Sequence, residues 1–140
     1  MRTTPNVSLV VIIAAVTAAC NSPEQHLIRS TEDIRSWASG SRMVIAHWER
    51  RAVPTSYAID ALAAAADAMR DDVRAVAALS EIDTAQRDRA REAAERVRAL
   101  SYELAQCVRY SDGAGAQRFS EQLADIEESL AALAASAGRR

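Results

Sequence analysis

Met43 and His47 stand four residues apart, the spacing at which helical side chains share a face. In a helical bundle a thioether and an imidazole so placed could hold haem iron or another metal. Their direction argues against it. At 100° per residue they lie about 240° and 280° around the axis from Trp37, while the apolar stripe of that stretch centres near about 30°.

 

Both side chains therefore point away from the seam and read as surface residues. The other histidine, His26, lies upstream, and the chain has neither a Cys-x-x-Cys-His haem motif nor a Glu-x-x-His pair. No metal and no haem is expected.

Three further groups invite a chemical reading. Cys107 follows Leu100 and Leu104 at helical spacing and reads as a small buried hydrophobe; a disulfide to Cys20 is the other option. Trp37 and Trp48 differ by only about 20° in azimuth and so share a face three turns apart. They are either core packing or a hot-spot patch for a partner. Arg87, Arg89, Arg91, Arg96 and Arg98 interleave with Asp88, Glu92 and Glu95, and the last helix is acidic at Glu121, Asp125, Glu127 and Glu128. Solvated faces and pairing between neighbouring helices account for these charges. A sharper option places Arg50, Arg51 and the helix-three arginines on anionic headgroups. No Ser/His/Asp grouping, Gly-rich phosphate loop or carboxylate dyad stands out, so a non-catalytic protein is expected.

The elements that must position these residues are helices. Four glycines and three prolines in 140 residues leave little room for turn-rich β structure, and the abundant Ala, Leu, Arg and Glu favour helix. Ser30-Thr-Glu-Asp33 resembles a capping box. Ile34, Trp37, Ser41, Val44, Ile45 and Trp48 then fall on one side of a first helix, which Ser39-Gly40-Ser41 either kinks or splits. Arg50 to Pro54 ends it. A second helix to about Leu79 carries Leu62, Ala66, Met69, Val73 and Val76 at alternating steps of four and three, a seam pattern. Ser80-Glu-Ile-Asp83 caps a third, with Ala93, Val97, Leu100, Leu104 and Cys107 in its seam. After the break at Ser111 to Gly115, a fourth carries Phe119, Leu123, Ile126, Leu130, Leu133 and Ala137. Short loops join antiparallel neighbours. The fold class is all-α, an antiparallel up-down bundle of four helices, with a three-helix bundle as the rival.

The N-terminus differs from all of this. Val7 to Ala19 is uncharged, follows Met1-Arg2, and closes on Cys20. Thirteen helical residues span roughly 20 Å against a hydrocarbon core of about 30 Å, so the run is too short to cross comfortably. A positive start, an apolar stretch and small residues before a cut make a secretory signal peptide. Val16-Thr17-Ala18-Ala19-Cys20 resembles the lipobox of bacterial lipoproteins. That resemblance implies cleavage before Cys20, a diacylglyceryl thioether on its sulfur and acylation of the new N-terminus. It also implies a membrane partner, and Asn21 in place of Asp favours the outer membrane over the inner. The expected division is a signal peptide at 1–19, a lipidated Cys20 with a tether at 20–29, and a bundle domain at 30–140.

Beyond position 19 the chain has sixteen basic residues, all arginine, against nineteen acidic ones, which is not the balance of a nucleic-acid binder. The leading expectation is a lipid-anchored envelope protein whose bundle binds an envelope protein through a helix face, with homo-oligomers as an option. Apart from the lipid on Cys20 no cofactor is expected. The alternative is a periplasmic bundle holding haem, metal or a small apolar ligand.

Overall fold

Leu27, Thr31, Ile34, Ala38, Ser41 and Ile45 recur at alternating steps of four and three, and all six are buried. That period keeps one stripe of a helix turned inward over about five turns. It belongs to α1 (Pro23–Glu49), the first of four helices in the computed structural model, which describes residues 22–139. The others are α2 (Thr55–Ala77), α3 (Thr84–Arg109) and α4 (Gly113–Ala137). The signal segment 1–19 and Cys20 lie outside the described residues.

Each helix starts for a local reason. The Ser22 hydroxyl accepts from the Gln25 N–H, and Pro23 follows at the first helical position, where its missing N–H costs nothing. The Asp83 carboxylate accepts from the N–H groups of Ala85 and Gln86, and Asp112 accepts from that of Gly115. Such caps each stabilise by about 1 kcal/mol. Two helices stop alike. Arg51 (φ 57°) and Ser111 (φ 58°) take the left-handed conformation, which lets Ala52 N–H reach the His47 carbonyl and Asp112 N–H the Cys107 carbonyl, both at 2.8 Å. This is a Schellman closure without the usual glycine.

Connections of five, six and three residues force sequential helices to run antiparallel. Cross-helix contacts agree. Gln86 near the start of α3 meets Ser136 near the end of α4, and Arg96 meets Gln122. Arg42 in α1 pairs with Glu127 in α4 at 3.0 Å. α2 packs most extensively on α3 and α1 on α4; α1 also crosses the interior to α3, whereas α2 and α4 do not touch. The four-helix up-down bundle is thus the architecture, and the three-helix rival is excluded.

The seams read from the sequence are largely the buried ones. Leu62, Ala66, Met69 and Val76 of α2, Val97, Leu100, Leu104 and Cys107 of α3, and Leu123, Leu130, Leu133 and Ala137 of α4 are buried. Val73, Ala93, Phe119 and Ile126 are half-buried at the margins. Two expectations for the first helix are corrected. Residues 23–29 are helix rather than tether, and Leu27 is fully buried, so the bundle begins at the Ser22 cap and not at residue 30. Gly40 does not split α1, which runs unbroken through it.

Candidate functional site

The tryptophan pair divides between two roles. The stripe of α1 that turns inward leaves both rings on its α2 side. Trp48 is half-buried against the core, and its indole N–H donates to the Thr55 hydroxyl at 3.3 Å across the α1–α2 turn. It fastens that turn. Trp37 keeps 39% of its surface exposed. Of the two readings of the pair, core packing does not hold for Trp37, because Thr31, Ile34, Ala38 and Ser41 hold the centre of the stripe.

Trp37 belongs to a larger surface. Trp48 beside Thr55 and Asp33 in the field of Asp72 set the antiparallel register of α1 on α2. Trp37 stands level with Ala68, Gly40 with Ala64, and Val44 with Ala61. Tyr57 is 55% exposed on the same side, and His47 and Ala64 are also exposed, whereas Met43, 58% exposed, lies about 120° around α1 from Trp37 on its outward face. Between Arg35 and Glu49 the one full charge on α1 is Arg42, and it turns to α4 and Glu127. The outer α1/α2 face therefore presents an uncharged strip about 15 Å long from residue 37 to residue 47. Asp60 and Asp71 stand beside it on α2, where Arg74 is already paired with Asp71 at 3.4 Å; Asp67 and Arg70, paired at 2.9 Å, face α3 instead. Burial, then Asp33 and Asp71, raise the Asp72 carboxyl above its ordinary range.

A second concavity lies between α3 and α4. This open groove of about 880 Å³ has Ala93, Ala99, Ile126, Leu130 and Leu133 along its floor and Arg89, Glu92 and Arg96 on its rim. The sequence reading did not single it out, because Ala93 and Ile126 read simply as seam residues. Tyr57 was missed for a similar reason: it sits in the first turn of α2 and outside the seam period.

Cys107 is buried 3.9 Å from an Asp112 oxygen. Burial first, then the nearby Asp112 and Glu103 charges, push its thiol up, so it is a poor nucleophile at neutral pH. It also stands near the end of α3, at the opposite end of the bundle from Ser22. Cys20, two residues before Ser22, reaches at most about 7 Å from it, so a disulfide within one chain is excluded. Met43 and His47 are both exposed, and His26 lies on the first turns of α1. Among the described residues there is no group of three or more His, Cys, Asp or Glu that could hold a metal, and no helix is long and apolar enough to cross a membrane. Comparison with family models, curated proteins and solved structures finds no match.

Proposed function

We propose that this chain is a lipid-anchored envelope protein whose non-catalytic bundle binds a protein partner on the outer α1/α2 face. The anchor is Cys20, supported by the apolar run and lipobox-like residues before it; Asn21 favours the outer membrane. The observation that carries the binding surface is Trp37, a large ring left exposed on a face that also holds Tyr57 and, along α1, no full charge. Tryptophan and tyrosine in such settings are where binding energy concentrates. The acidic border on α2 suits a partner with an apolar centre and basic flanks.

Site-directed photo-crosslinking in cells tests this. A crosslinker at Tyr57 should trap a defined neighbour, and one at the exposed Arg98 on α3 should not. Trp37→Ala should cut the yield at least tenfold while the protein remains folded. Equal trapping at both positions, or indifference to Trp37→Ala, overturns the assignment. Lipid labelling with Cys20→Ser as control tests the anchor.

A second reading is a small apolar ligand in the α3/α4 groove, favoured by its size and by Ile126, Leu130 and Leu133 on its floor. Native mass spectrometry of protein extracted from cells separates the two: a stoichiometric small molecule, lost on Leu130→Arg, supports the groove.

A further inference from the structure

The start of α1 lies in one end of the bundle together with the α2–α3 connection and the end of α4. Pro23 and His26 border Ala78, Leu79, Ser80 and Glu81, and Ile28 lies beside Gly138. Only Asn21 separates Cys20 from the cap of α1 at Ser22. Two extended residues reach about 7 Å, whereas α1, with 27 residues, is about 40 Å long. The expected nine-residue stalk does not exist, because Pro23 to Arg29 is folded into α1.

We propose that this end of the bundle is a lipid-facing surface on which the body stands upright, with α1 running away from the bilayer; the inference rests on the lipid anchor at Cys20. Attachment so close to a rigid helix leaves two poses, upright or lying on a side. The apolar side is the α1/α2 face. Its α2 border carries Asp60 and Asp71, and the nearby Arg74 is spent on Asp71. Laying that border on anionic headgroups is unfavourable. The end surface mixes Glu24, Glu81 and Asp83 with Arg29, Arg87 and Arg139, so it suits headgroups of either charge and the acyl chains supply the hold. Arg50 and Arg51 then stand about 40 Å out, several Debye lengths from the surface. In this pose they do not touch headgroups. Trp37, fourteen residues into α1, stands about 21 Å above the membrane, open to a partner at that height.

Depth-dependent quenching decides between the poses. Lipidated chain is purified from membranes, its intact mass is measured, and it is reconstituted into phosphatidylcholine vesicles with and without phosphatidylglycerol, each doped with a nitroxide-headgroup lipid. Fluorophores are placed on Glu81→Cys or Arg50→Cys in a Cys107→Ala background. The upright pose requires at least a twofold loss of emission at position 81, little change at position 50 or in native tryptophan emission, and the same pattern in both lipids. Inserting about ten Gly/Ser residues after Asn21, a coil of roughly 17 Å, should erase the contrast. Quenching of the tryptophans, or equal quenching at 50 and 81, in protein whose mass shows the acyl chains overturns the upright pose and leaves the anchor standing. A mass without acyl chains overturns both.

Discussion

Replacing Ser41 by alanine removes one oxygen from the contact between α1 and α3. Ser41 Oγ and Ser101 Oγ lie 3.2 Å apart, at 2% and 0% exposure, where water cannot substitute for either. The lost hydrogen bond is worth about 1 kcal/mol, and an orphaned buried hydroxyl costs about 1–3 kcal/mol more. The remaining serine softens this by turning to the carbonyl four residues back in its own helix. Each single variant should therefore lose about 1–2 kcal/mol. The double variant Ser41→Ala with Ser101→Ala leaves no orphan and gains a few tenths of a kcal/mol per site in helix propensity. It should return to within about 0.5 kcal/mol of the parent. The pair then couples by about 2–3 kcal/mol, at the upper end of what contacting residues show. Urea unfolding followed by helical circular dichroism, on chain starting at residue 21, measures all four corners of the cycle. Losses that simply add in the double variant would refute the shared hydrogen bond.

Three further outcomes are expected. Gly40→Ala meets nothing within 4 Å of the new methyl group and removes a mid-helix glycine, so it should stabilise by about 0.5–1 kcal/mol, read as a rise in Tm; a fall would mean that Gly40 is needed for backbone geometry. Arg51→Gly relieves a side chain held at φ 57° and should stabilise by up to about 1 kcal/mol, with Arg51→Ala giving no such gain in the same melt. Asp72 has its carboxyl raised by burial and by Asp33 and Asp71. The folded state then holds its proton more tightly than the unfolded state, so stability is lost as pH rises from the ordinary carboxylate range through the folded value. Asp72→Asn should raise Tm at neutral pH, and the gain should vanish below about pH 4; a gain that persists in acid would point to a cause other than charge.

How far the sequence could be read depended on which side chains occupied the seams. In α2, α3 and α4 the inward stripes carry Leu62, Met69, Val76, Val97, Leu100, Leu104, Leu123, Leu130 and Leu133 among smaller residues, and their period exposed the stripe directly. In α1 half the inward positions are Thr31, Ala38 and Ser41, which carry no apolar signal, while Trp37, Val44 and Trp48 form a second stripe beside them. Phase read from the largest residues slid toward the tryptophans by about 40–60°. The start of α1 was legible in Ser22-Pro23-Glu24, a cap, an N1 proline and an acid in the first turn, but Ser30 to Asp33 competed with the same grammar. The α3/α4 groove was not legible, because it depends on how far apart two marginal stripes stand after packing.

The same substitution of small residues for large ones in α1 produces the exposed surface. Ser41 meets Ser101 hydroxyl to hydroxyl, and Ala38 is fully buried, so α1 lies close to α3 across the interior. Small side chains let helix axes approach toward about 8 Å, and an indole has no room between them. Trp37 must leave the seam on one side. On the α4 side it would meet Arg42 and its ion pair with Glu127; on the α2 side it stands level with Ala68, which is too short to cover it. The close diagonal that holds the bundle together thus displaces its largest side chain onto an alanine-floored face. Binding through Trp37 and the tightness of the α1–α3 contact are two consequences of one packing choice, and enlarging Ala38 should weaken both together.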